Sequence, residues 1–206
     1  MKAFGNTKRI AAGTTGFILL AGLWGGSVAF AEDQHGTGDV EVTVDIGESV
    51  GPGVLAMSVS GSSVALTEDG STDLVRQFTG KLPTVTVTDT RSADDIPEGA
   101  WWYVVGSVSD FTGNTGQDSI PAEQMGWTPA LVQDSPSGLV SEGDEVGTSL
   151  EGDVGLVDQE LLAMVWDSKE VNPEGTWAAN ADLFLQTAPS VEEGQYSATL
   201  TLSLFE

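Results

Sequence analysis

Carboxylates dominate the ionisable chemistry of this chain: 31 Asp and Glu against seven Lys and Arg, with one histidine and no cysteine. The absence of cysteine removes disulfides, thiol catalysis and thiolate metal sites together. The lone histidine, His35, lies outside the regular part of the sequence, so the usual Ser-His-Asp, Cys-His and zinc constellations cannot be assembled. A pair of carboxylates could still cleave a glycoside. With 31 acids a chance pair at suitable spacing is near certain, so that signal has no specificity, and the expectation is a non-enzymatic protein. Two acidic loops could hold calcium, which wants several oxygen ligands. One is "TEDGSTD", with Glu68, Asp69 and Asp73; the other is "SEGDEVG", with Glu142, Asp144 and Glu145. Neither has the full twelve-residue loop pattern, and an ordinary acidic turn is the commoner outcome.

Aromatic residues offer a different chemistry, because the apolar faces of sugars stack on exposed rings. Trp101, Trp102 and Tyr103 are consecutive. On a strand, Trp102 faces one way and Trp101 and Tyr103 the other, so one ring can be core while its neighbours stay near the surface. Trp127 in "GWTP" and Trp177 in "EGTW" follow glycine close to turns. The expected ring-bearing surface is led by Trp102, Trp127 and Trp177, against the competing outcome that each fills the core, as most tryptophans do.

The elements that must position these residues read as strands. Apolar and polar residues alternate over Val40–Ile46, Val54–Ser60, Leu82–Thr88 and Tyr196–Leu204, the period of a half-buried strand. Leu74–Phe78, Trp101–Phe111, Leu161–Trp166 and Leu183–Thr187 complete the set, separated by Gly and Pro clusters. "AEQMGW" after Pro121 fits one short helical turn. "DQELLAMVW" has helical propensity but is short and followed by "NPEG", so it reads as a strand. Residues 133–158 read as a long surface loop or weak hairpin. The expected fold class is all-β, a single antiparallel β-sandwich-like domain. The apolar face of the final strand should be covered by a partner sheet.

Residues 1–31 read as a signal peptide. Lys2, Lys8 and Arg9 precede an apolar stretch through Leu23 and Trp24, and Ala29-Phe30-Ala31 is a small-x-small cleavage site. The stretch is short for a membrane span. The expected mature domain is 32–206, secreted and without a membrane span. It would keep all 31 acids and only Arg76, Lys81, Arg91 and Lys169 as cations. So negative a surface excludes nucleic acid and anionic membrane as natural partners. It suits cations, basic surfaces or a salty habitat.

"LPTVTVTDTR", "GAWWYVVGSVSDFTG", "IPAEQMGWTP" and "ADLFLQTAPSVEEGQYSATLTLSLFE", in that order over 82–206, resemble the WxL-domain family of Gram-positive surface proteins. The family's two Trp-x-Leu motifs would fall on Trp102-Tyr103-Val104, with valine for leucine, and on Leu202-Ser203-Leu204, with leucine for tryptophan. The resemblance is to a divergent member of actinobacterial composition. It implies an exported, β-rich protein held non-covalently on the cell wall through peptidoglycan, with cell-wall glycan as partner. The alternatives are a structural subunit binding another surface protein through a strand edge, and a secreted carboxylate hydrolase.

Overall fold

The computed structural model describes residues 53–206, and among these described residues strand-forming Val, Thr and Leu runs punctuated by Gly and Pro give twelve strands. The signal-peptide reading of 1–31, His35 and the Val40–Ile46 strand lie outside the described residues. In chain order the strands are β1 (Leu55–Val59), β2 (Thr67–Glu68), β3 (Arg76–Lys81), β4 (Val85–Asp89), β5 (Tyr103–Val108), β6 (Thr112–Gly113), β7 (Met125–Leu131), β8 (Val140–Glu142), β9 (Glu160–Val165), β10 (Thr176–Thr187), β11 (Tyr196–Ser197) and β12 (Leu200–Phe205). The fold is all-β and antiparallel, a sandwich of curled sheets.

The first sheet is built on β10. On one of its edges lies β7; on the other, β3 and β4 follow each other in tandem, since Leu183 pairs with both Gly80 and Trp127 and Ala179 with both Val85 and Leu131. Pro83 sits in the gap between β3 and β4, where a residue without an N–H interrupts the ladder. β1 and β2 flank this sheet, whose order is β1-β4-β10-β3-β2 with β7 also on β10. The second sheet has the order β12-β5-β9-β8, and β11 pairs with β6 apart from both.

The inward faces meet in one core. β10 contributes Trp177, Ala179, Ala181, Leu183 and Leu185; β4 contributes Val85 and Val87; β5 and β9 answer with Val104, Val108, Leu162 and Val165. Trp102 of the second sheet packs on Trp177 of the first, with ring centroids 5.3 Å apart and tilted 45°. The Trp127 ring packs against Gly106 of β5: a Cβ there would come within 2.6 Å of its Cη2, so only glycine admits the indole. Leu200, Leu202 and Leu204 of β12 pack against this core, though only half-buried, because β12 is an edge strand.

Several elements differ from the sequence expectations. β10 runs twelve residues, not the five of Leu183–Thr187, because Thr176–Asp182 is drawn into pairing by β4 and β7. The helical turn after Pro121 is a short 3-10 turn, Ala122–Gln124, and "MGWTPAL" beyond it is a strand rather than a continuation. A four-residue helix, α1 (Ser168–Val171), interrupts the loop before β10; the Asp167 carboxylate caps it by accepting from the backbone N–H groups of Lys169 and Glu170, both 2.9 Å. Within 133–158 lie β8 and a 3-10 turn, Ser149–Glu151, closed by a Thr148/Glu151 capping box. No helix among the described residues is long and apolar enough to cross a membrane.

Candidate functional site

The period of two that buries Trp102 turns Trp101 and Tyr103 to the outer face of the second sheet. Register then adds residues from neighbouring strands. Phe205 of β12 stands opposite Tyr103. Tyr103 also faces Met164 of β9, and the Val165 N–H donates to the Trp102 carbonyl at 2.9 Å. Trp166 lies in the bend just after β9; beyond it Ser168, not Asp167, donates to the Ala100 carbonyl at 2.8 Å, so this register is not kept past Val165. Trp101 stacks on Tyr103 (centroids 4.9 Å, 24° between planes) and Tyr103 on Phe205 (5.3 Å, 24°). Trp101 is 46% exposed, Phe205 38% and Trp166 65%. The inner faces of the row cover one another, so a ligand meets ring edges along it and open ring faces at its ends.

Of the five aromatic residues singled out from sequence, the structure brings Trp101 and Tyr103 together and removes the rest from this face. Trp102 and Trp127 are fully buried between the sheets and cannot present a ring to solvent. That corrects their place at the head of the ring-bearing surface: glycine beside Trp127 serves the chain path, not exposure. Trp177 is also buried, on the opposite sheet. Its indole N–H donates to Glu174 Oε2 at 2.8 Å, and its ring lines a concavity at the end of β10. Sequence reasoning missed Phe205. It shares a parity with Thr201 and Ser203, so it was legible as outward-facing once its strand was accepted.

The acidic loops do not form a cage. Glu68 spends both carboxylate oxygens on Arg76, at 3.0 Å to Nε and 3.0 Å to Nη2, and Ser71 Oγ donates to it as well. The Arg76 hydrogen bond holds the Glu68 carboxyl below its ordinary value, helped by Ser71 and opposed by burial. Glu145 accepts from Thr128 Oγ1 at 3.1 Å. Among the described residues no three acidic or histidine side chains gather as a metal-holding group. Glu160 has its carboxyl pushed up, by burial first and then by the charges of Asp158 and Asp153, but it does not line the concavity beside Trp177.

Electrostatically the described surface is anionic without relief. Each of its four cations is engaged: Arg76 with Glu68, Lys81 with Asp182 at 2.7 Å, Arg91 with Asp89 and Glu206 at 2.7 Å each, and Lys169 with Glu98 at 3.8 Å. The aromatic row therefore offers apolar contact on a negatively charged body. No family model matches the sequence, and no curated protein matches it.

Proposed function

We propose that this chain is an exported, non-enzymatic surface protein that associates non-covalently with cell-wall glycan, and that the outer face of the second sheet makes the contact. The observation that carries this reading is the stacked row of Trp101, Tyr103 and Phe205 on one face, with Trp101 and Phe205 left open to solvent. Exposed rings of this kind stack on the C–H faces of sugars. Support also comes from the export pattern at 1–31, from the lack of histidine and cysteine in 53–206, and from the resemblance of 82–206 to WxL domains.

Sedimentation with insoluble Gram-positive cell walls, at low and at high salt, tests it. The protein is expected to sediment in both. Trp101→Ala with Phe205→Ala should lower the affinity about tenfold, from roughly 0.5–1.5 kcal/mol per lost ring contact. Binding abolished by salt, or unchanged in the double variant, refutes the reading. A second reading, docking of a surface-protein partner along a strand edge, is favoured by β1 and β12 being outermost in their sheets. It predicts no wall sedimentation and a partner lost when Val59, whose N–H faces the free edge of β1, is replaced by proline.

A further inference from the structure

At the end of the first sheet, the turn after β7 and the turn before β10 enclose a concavity of about 280 Å³, near the lower end for small-ligand sites. The Pro136 and Pro173 rings and the Trp177 indole form apolar walls, and two carboxylates, Asp134 and Glu174, open into it. Glu174 is held rigid. The Ser135 hydroxyl lies 3.0 and 2.8 Å from its two oxygens and shares its one proton with them; the Ser137 N–H donates at 3.0 Å and the Trp177 indole N–H at 2.8 Å. Every one of those donors is neutral. The four cations of the described residues are all paired elsewhere, and none lines this concavity. The result is a fixed, uncompensated negative charge behind an apolar vestibule, with a second carboxylate on Asp134.

The geometry points to a binding site for a protonated primary amine, carried on a short apolar stem. The charge selects against anions, and the walls offer methylene contact to the stem while its head stays near the carboxylates. An indole ring beside a cation adds attraction of its own. A divalent metal fits poorly, since two carboxylates are far from the six to eight oxygens calcium takes. A guanidinium also fits poorly: three donor protons already reach Glu174, leaving room for one further hydrogen bond and not for the two of a planar fork, whereas an ammonium acts as a point charge. A lysine side chain carries its amine on such a stem; an amino sugar shares only the ammonium, borne on a ring carbon, and the test separates the two. The site uses none of the residues of the aromatic face, so it stands or falls independently of the glycan reading.

The Trp177 indole N–H resonance of the 15N-labelled protein reports on the site, its peak assigned with Trp177→Phe. Nα-acetyl-lysine methylamide and glucosamine are titrated as amines, and Nα,Nε-diacetyl-lysine methylamide and N-acetylglucosamine as their neutral counterparts. At least one amine is expected to shift the resonance saturably at millimolar concentration, with its acetylated counterpart inert. Which amine does so identifies a peptide or an amino-sugar source. Asp134→Asn, a change on an exposed turn, should weaken binding about three- to fivefold, and Glu174→Gln should weaken it further. No saturable shift by about 50 mM of either amine overturns the proposal. So does an equal response to the acetylated compounds, or an undiminished affinity in Asp134→Asn.

Discussion

Replacing Arg91 by methionine should cost this domain more than any other single surface-accessible change. The Asp89 side chain is completely buried and Arg91 is 13% exposed, while Glu206 is 29% exposed. Arg91 donates to Asp89 through Nε at 2.9 Å and Nη2 at 2.7 Å, and to Glu206 through Nη1 and Nη2 at 2.8 and 2.7 Å. One guanidinium thus ties the end of β4 to the end of β12, joining the two sheets. Without it Asp89 keeps only the Arg91 backbone N–H, at 3.0 Å, and stays buried with its charge unmatched. Stranding a buried partner costs about 3–5 kcal/mol, a large share of the 5–15 kcal/mol typical of a whole domain. At about 2–4 °C per kcal/mol for a domain of this size, the melting midpoint should fall by roughly 6–20 °C. Glu206→Gln, which breaks only the more exposed half, should cost about 0–1 kcal/mol. Asp89→Asn combined with Arg91→Met removes both buried charges and should recover much of the loss. Thermal melts followed by tryptophan fluorescence read all three. A midpoint for Arg91→Met within about 2 °C of the parent, or a double variant no more stable than the single one, refutes the reasoning.

The tryptophans should divide by burial: Trp127→Ala opens a cavity between the sheets and should cost about 3–5 kcal/mol, whereas Trp101→Ala, half exposed on the outer face, should cost under about 1.5 kcal/mol; denaturant unfolding of the two variants checks the contrast. Glu174 should make stability fall in acid. Burial alone would push its carboxyl up, but hydrogen bonds from Ser137, Ser135 and Trp177 outweigh this and hold it below the ordinary value. Its contribution is then present above the unfolded value of about 4.3 and is lost as pH falls through the lower folded value. Glu174→Gln should be less stable than the parent at pH 7, with the gap closing below about pH 4; equal gaps at both pH values in urea melts would contradict this.

The sequence by itself determined the fold class and, where the pattern alternates, which side of a strand a residue takes. The alternation in β4 and β12 is a local property, set by the pleat, and the same pleat correctly separated Trp102 from Trp101 and Tyr103. It was silent where propensity and pairing disagree. "MGWTPAL" carries a Gly and a Pro that speak against a strand, yet β7 forms because β10 offers it a complete ladder along seven residues. What covers each side was decided by the tertiary structure alone. Trp127 and Trp177 sit beside turns in the sequence, and nothing local says that Gly106 opens a slot for one or that Trp102 closes over the other. Phe205 joins Tyr103, and Glu206 meets Arg91, only because β12 pairs with β5 across about a hundred residues of chain. Periodicity tells a side chain which way to point. Only long-range pairing and packing supply what it meets there, and so the aromatic row and the Trp177 concavity appear only in the folded chain.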